Sequence, residues 1–283
     1  MSEPAAGIDT ASWQGAPDWR KVAAAGISFA YVKASEGSST SYPSLDQQYN
    51  GARANGIAVG LYHYAKPASS PTSNADAFAA QINRLNAKDG CLAPALDLEE
   101  GAGNLAGWAD KFIERLRERT GLRRVAVYSG AAFFVDHVGE GWMDDDISLW
   151  IAHYGRAPGA PRYLTPRVAI HQHSQTGKVD GIKGNVDLNT AIWPLNKLIV
   201  GAASTGEGDV TADEIRKIVR EELANVAKRD DVGWARNQIL ATLGVAKPEA
   251  ALPRPPEGAR PVSAQLQDVL VAVEAIRARL DAE

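Results

Sequence analysis

Short apolar runs and amphipathic stretches alternate along the first two thirds of this chain, and few folds accept that rhythm. Apolar runs occupy residues 7–9, 28–34, 58–64, 93–98, 125–129, 149–154, 168–173 and 185–188. Helix-like segments lie between the first six, at 18–25, 45–55, 73–87, 105–120 and 131–138. Gly26, Gly56 and Gly121 each follow a periodic stretch, where a helix ends on a left-handed glycine. Strand–helix alternation of this kind implies a parallel sheet with right-handed crossovers. Eight strands in roughly 190 residues suggest a sheet closed on itself, short of the roughly 250 residues of a full eightfold barrel. Residues 161–166 and 175–184 read as turns, so the expectation is an α/β, TIM-like (β/α)5(β)3 barrel whose last helices are missing.

The remaining composition narrows the class. With 283 residues, 45% of them hydrophobic and 23% charged, the chain can bury a sizeable core without staples. Its one cysteine, Cys91, excludes an intrachain disulfide and reads as a small core residue. The net charge of −4 carries no basic excess, so neither nucleic acid nor an anionic membrane is expected as a partner. The first residues, Met1-Ser2-Glu3-Pro4-Ala5-Ala6-Gly7, lack the basic and apolar regions of a secretory signal. No apolar run approaches a membrane span, so no membrane anchor and a cytoplasmic start are expected.

Past Leu195 the texture changes. The expected organisation is a catalytic barrel over 1–198, a Gly/Ala/Ser-rich linker over 199–210, and a helical C-terminal region over 211–283. Thr211 to Glu214 forms a capping box before one amphipathic helix. Ser263 precedes a last helix with Leu266, Val269, Val273, Ile276 and Leu280 at heptad-like spacing. Two heptads fit a small docked helix as well as a homo-oligomerising zipper.

The chemistry concentrates in acids at strand ends. Side chains two residues apart on a strand share a face, so Asp97 and Glu99 point together while Leu96 and Leu98 point away, as does Glu100. Two carboxyl groups in a shielded cleft do not both ionise easily, and a protonated acid beside an ionised partner is what glycosidic cleavage requires. Asp9 closes the first strand and Asp187 lies in the last, and these strands are neighbours in a closed barrel. The same rim collects Trp13, Tyr62, His63, Tyr64, Tyr128, Trp150 and Tyr154. Aromatic faces stack on sugars but also fill barrel cores, and for Trp150 both roles stay open. His63 is a candidate base, although no G-x-S-x-G elbow accompanies it. His171 and His173 share a strand face without an evident third ligand, so structural histidines, no metal and no cofactor are expected.

Six segments in order resemble family 25 glycoside hydrolases, the N-acetylmuramidases of phage endolysins and bacterial autolysins. They are Gly7-Ile8-Asp9-Thr-Ala-Ser-Trp13-Gln14-Gly15 with Asp18-Trp19, residues 25–37 through Lys33-Ala34-Ser35-Glu36-Gly37, Gly60-Leu61-Tyr62-His63-Tyr64, Ala95-Leu96-Asp97-Leu98-Glu99, Leu149-Trp150-Ile151-Ala152-His153-Tyr154 and Val186-Asp187-Leu188-Asn189. The likeness covers about residues 5–195. It implies five β/α units and three closing strands, a peptidoglycan substrate, and cleavage between N-acetylmuramic acid and N-acetylglucosamine. It puts the general acid on Glu99, an assisting role on Asp97, and Asp9 and Asp187 at the remaining acidic positions of the cleft. Tyr62 falls at a substrate-positioning site, and Tyr64, Tyr128 and Trp150 complete the expected substrate contacts. Tyr64 stands where Phe is frequent and Ser35 where Thr is frequent. Whether configuration is retained through the substrate's acetamido group or a protein nucleophile is left open by the sequence, with the acetamido route favoured.

Two other readings compete. A family 18 chitinase ends a strand in Asp-x-Glu within a longer Asp-x-x-Asp-x-Asp-x-Glu pattern, but Leu92 and Ala95 occupy the two earlier positions. A non-catalytic glycan-binding barrel would naturally lack Glu99, which is present. The biology expected of the favoured reading is a phage endolysin held in the host cytoplasm until a holin opens the membrane, with export by a route needing no signal peptide as the alternative.

Overall fold

The computed structural model describes residues 4–40 and 43–200. The readings for residues 201–283, including the capping box and the heptads, lie outside the described residues.

Eight strands close into a barrel in the order β1 (Ala6–Thr10), β2 (Ile27–Glu36), β3 (Ala58–Tyr64), β5 (Ala95–Asp97), β6 (Val125–Gly130), β7 (Ile147–Ala152), β8 (Val168–Gly177) and β9 (Val186–Ala191). Helices follow the first five: α1 (Trp19–Ala24), α2 (Leu45–Ala54), α3 (Pro71–Leu85), α4 (Leu105–Thr120) and a short α5 (Ala131–Phe133) that runs into a π-turn over Phe134–Val138. The five β/α units and three closing strands match the expectation. The helix ends follow their local chemistry. Asp18 and Asn104 accept bonds from the backbone N–H groups of Lys21 and Gly107 at the starts of α1 and α4. Gly121 closes α4 at φ 76°.

The sheet is not wholly parallel. β1 through β8 pair in parallel, but β9 runs antiparallel to both β8 and β1. The link from β8 to β9 is too short for a crossover helix, and a short link turns a strand back on its neighbour. β8 also extends to Gly177, into the segment read as a turn. It does so through register shifts that set Gly177 opposite Val186, where Leu188 fills the space a Cβ at 177 would need. A further pair of strands, β4 (Cys91–Leu92) and β10 (Ile199–Val200), was not foreseen. It ties the start of the segment read as linker back onto the barrel.

Alternation sorts the side chains into two cores. Outward residues such as Val32, Leu61, Leu96, Leu98, Val127 and Ile151 pack under the helices with Phe78, Phe112 and Leu116. Inward residues are sparse and large: Phe29, Tyr31, Tyr62, Tyr128 and Trp150, among the small Ala95, Ala126 and Ala191. Gly7 and Gly60 are the complement of this filling, since a Cβ there would enter the rings of Phe29 and Tyr31. The rings floor the barrel, and the strand ends above them are free to carry polar groups.

Candidate active site

The polar groups gather above that aromatic floor. Asp9 comes from the end of β1, Asp97 from the end of β5, and Glu99 stands two residues beyond. Asp187 is at the start of β9. Because β9 runs antiparallel, its beginning lies at the rim where the other strands end, and Asp187 pairs directly across from Asp9. In a fully parallel barrel the same residue would sit at the opposite end. All four carboxyl groups line one open cleft, together with Tyr62, Tyr64, Tyr128 and Trp150. The structure thus brings these eight residues together at one rim.

The acids occupy different environments. Asp97 is buried, and its Oδ1 has no hydrogen-bond partner. Burial raises its pKa well above the usual carboxylate range, the charge of Glu99 adds to the rise, and the Lys33 ammonium opposes it. Glu99 is exposed at the rim. Partial enclosure still raises its pKa, Lys33 pulls the other way, and Glu100 and Asp187 add to the rise. Burial, with the negative charge of Asp187, pushes Asp9 up to about 8. Asp187 is also raised by burial, and its hydrogen bond with Asp9 counters this. Burial and their mutual charge thus both oppose ionisation of the two carboxyl groups at once.

Two amides position that pair. Gln172 Nε2 and Asn189 Nδ2 both donate to Asp9 Oδ2 at 2.8 Å. Gln172 Oε1 in turn accepts from the hydroxyls of Tyr128 at 2.9 Å and Tyr154 at 2.7 Å, while Asn189 Oδ1 accepts from the Trp150 indole at 2.8 Å. Trp150 is 2% exposed and stacks on Tyr31 at 4.7 Å between ring centres. It forms part of the cleft's floor, so both readings left open for it hold in part.

Lys33 forms the opposite wall. Its stem is buried, its ammonium bonds Glu36 at 2.8 Å, and it sits over the rings of Tyr64 at 4.5 Å and Trp13 at 5.6 Å. Glu100 turns aside to bond Tyr64 and Lys66, as alternation required. Lys33, Gln172 and Asn189 were not singled out from the sequence. A lysine inside an apolar strand such as 27–36 was the available signal for the first.

His63 has a different role from the one first considered. It contacts Ser35 through Nδ1 at 2.8 Å and Asn74 through Nε2 at 3.0 Å, a pattern that resembles a catalytic triad. All three are completely buried, under Phe78 and Phe112 and outside the barrel, with no path to substrate. Burial lowers the His63 pKa to about 4, so it stays neutral, and the Asn74 carbonyl fixes the tautomer. Neutral His63 contributes stability above about pH 6.5 that is lost as pH falls through about 4, because only the unfolded chain binds the proton in between. His63→Ala is expected to cost about 2 kcal/mol or more of stability in urea unfolding. The pH–rate profile of the folded variant should keep its wild-type shape; a lost limb would restore His63 as a catalytic base. His171 donates from Nε2–H to the His153 carbonyl at 2.9 Å. Among the described residues, no group of three His, Cys, Asp or Glu side chains could hold a metal ion.

Carboxyl groups of unequal proton affinity, facing one another over an aromatic floor at the strand ends of a barrel, define a glycoside hydrolase. The chain matches the model of glycosyl hydrolases family 25 over residues 8–182, and it belongs to that family. It is 35% identical over 213 residues to Lysozyme M1 of Streptomyces globisporus, covering 70% of this chain and 71% of that one. Among solved structures it is similar to the bacterial lysozyme from Streptomyces coelicolor, at 31% identity and TM-score 0.63, over 72% of this chain and 100% of that one. The catalytic domain of endolysin ply40 from bacteriophage P40 of Listeria monocytogenes matches at 25% identity and TM-score 0.58, over 70% of this chain and 98% of that domain.

Proposed function

We propose that this hydrolase cleaves the β-1,4 bond between N-acetylmuramic acid and N-acetylglucosamine in peptidoglycan, with Glu99 as general acid and Asp97 assisting. The observation that carries the reading is a buried carboxyl group, Asp97, and an accessible one, Glu99, lining the same cleft. The part of Asp97 that lines the cleft is an acceptor for the N–H of a substrate 2-acetamido group. That bond favours ionised Asp97. It leaves the proton of the coupled pair on Glu99, where the leaving oxygen needs it.

The steps then follow. Glu99 protonates the glycosidic oxygen as the bond to C1 breaks. The acetamido carbonyl oxygen closes on C1, and Asp97 stabilises the positive charge spread over the resulting ring. Water attacks C1 from the opposite face and gives its proton to Glu99, which restores the acid with retention of configuration. The Asp9–Asp187 pair, whose joint ionisation burial disfavours, forms the neighbouring wall. Tyr62, Tyr64 and Tyr128 are placed to contact the sugar.

The test is release of reducing ends from purified peptidoglycan and from chitin. Release from peptidoglycan alone fits this reading, whereas equal release from chitin would favour a chitinase-like enzyme, and release from neither a binding protein. The likeness to a phage endolysin domain supports an endolysin that waits in the host cytoplasm for holin-dependent release. No helix of the described residues is long and apolar enough to cross a membrane.

Residues 211–283 we assign, on their sequence, to wall binding or self-association, which would gain avidity by joining several barrels. Sizing by light scattering of the intact chain against one ending at Ala202 tests self-association. The cut belongs after β10, since a chain ending at Leu198 would lose the strand that pairs Cys91–Leu92. Self-association predicts a dimer or larger for the intact chain and a monomer for the shortened one; two monomers would refute it.

A further inference from the structure

A second groove opens beside the catalytic cleft. It shares Trp13 and Asp187 with the cleft and continues past Gln14, Gln175, Lys183 and Asn185. Its frame is fixed by hydrogen bonds. Gln14 is buried, accepts from the Ala11 N–H at 2.8 Å and donates to the Asn185 carbonyl at 3.3 Å. This ties the turn that carries Trp13 to the loop that carries Lys183. The Asp18 N–H donates to the Gly181 carbonyl at 2.8 Å and pins the base of the same loop.

The lining has a definite chemistry. Trp13 leaves 70% of its surface in water, far more than packing alone explains for so large an apolar side chain. Lys183 is exposed and forms no ion pair with the described residues. The amides of Gln175 and Asn185 lie in the same lining and can pair with a peptide backbone. Asp187 is the acid at the end shared with the cleft, and beyond it an apolar platform, amides and a cation suit an anionic peptide better than a neutral sugar.

Resting on the peptidoglycan reading above, we propose that this groove binds the peptide attached to the lactyl group of the muramic acid in the cleft. A peptide carboxylate sits against the Lys183 ammonium, and the peptide's apolar part covers Trp13. The continuity of the two cavities supports this occupant. Muramic acid carries its peptide beside the bond that is cut, so the substituent must leave the cleft along one wall, and this wall is open.

The experiment compares kcat/KM on soluble glycan strands bearing their peptides with kcat/KM on the same strands stripped by an amidase, using the full chain. The ratio of the two, peptide-bearing over stripped, is read for wild type, Lys183→Ala and Lys183→Glu. The ratio is expected to fall about fivefold in Lys183→Ala, further in Lys183→Glu, and with added salt in the wild type. An identical ratio in all three proteins would overturn the inference. So would a Trp13→Ala variant that loses the same factor on both substrates while the Lys183 variants keep the wild-type ratio, for then the groove holds glycan. Wild-type protein that cleaves neither substrate refutes the peptidoglycan reading, and this inference with it.

Discussion

Glu99→Gln is expected to hydrolyse peptidoglycan at least about a hundredfold more slowly than the wild type if Glu99 is the acid proposed, because the amide fills the same space and has no proton to give. The loss appears in kcat and in kcat/KM alike, as expected for an interaction made in the transition state. It depends on the leaving group: a glycoside whose aglycone departs without protonation loses far less. Glu99 is exposed at the rim and accepts no hydrogen bond among the described residues, so the variant is expected to keep its stability. A folded Glu99→Gln enzyme of near-normal activity would mean that another group is the acid.

Asp97→Asn is the second large effect, with a different signature. Asparagine keeps the shape of the cleft floor but cannot carry the negative charge that faces the developing positive ring, so kcat falls by about a hundredfold or more. The pH profile moves as well. In the substrate complex, where the acetamido N–H favours ionised Asp97, its charge holds the proton more firmly on Glu99. Without it Glu99 ionises at lower pH in that complex, so the alkaline limb of kcat shifts down. A loss of rate with an unmoved alkaline limb would separate Asp97 from the acid and leave it a role in binding. Because burial of Asp97 costs the empty protein free energy, the variant should also be no less stable than the wild type.

The contrast between these two acids shows what the chain discloses locally. Alternation along Leu96-Asp97-Leu98-Glu99 was enough to place both carboxyl groups on one face and both leucines under the helices. It could not disclose that Asp97 is buried and Glu99 exposed, because that depends on where the strand leaves the barrel. The direction of β9 was also hidden. A run such as 185–188 carries no mark of parallel or antiparallel pairing, and it is the antiparallel return that brings Asp187 to Asp9.

Polar residues that act across long separations were the least legible. Gln172 and Asn189 meet Asp9 over more than 160 residues of chain, and glutamine and asparagine in strands have no short-range signature. His63 is the opposite case. It lies among the Gly60–Tyr64 aromatics, but alternation turns it away from Tyr62 and Tyr64, into the layer under Phe78 and Phe112. Strand periodicity carries that information where residue type does not. The strand β10 escaped because Leu198-Ile199-Val200 is too short an apolar run to separate from the linker that follows.

Cleavage on the reducing side of muramic acid by the Asp97–Glu99 pair is decided by the sugar at the new chain ends. Purified peptidoglycan is digested with the intact chain, the new ends are reduced with borohydride, and the modified sugar is identified. Reduced N-acetylmuramic acid is expected from the wild type and not from Glu99→Gln. Reduced N-acetylglucosamine would instead make the enzyme a glucosaminidase and overturn the proposed cleavage site.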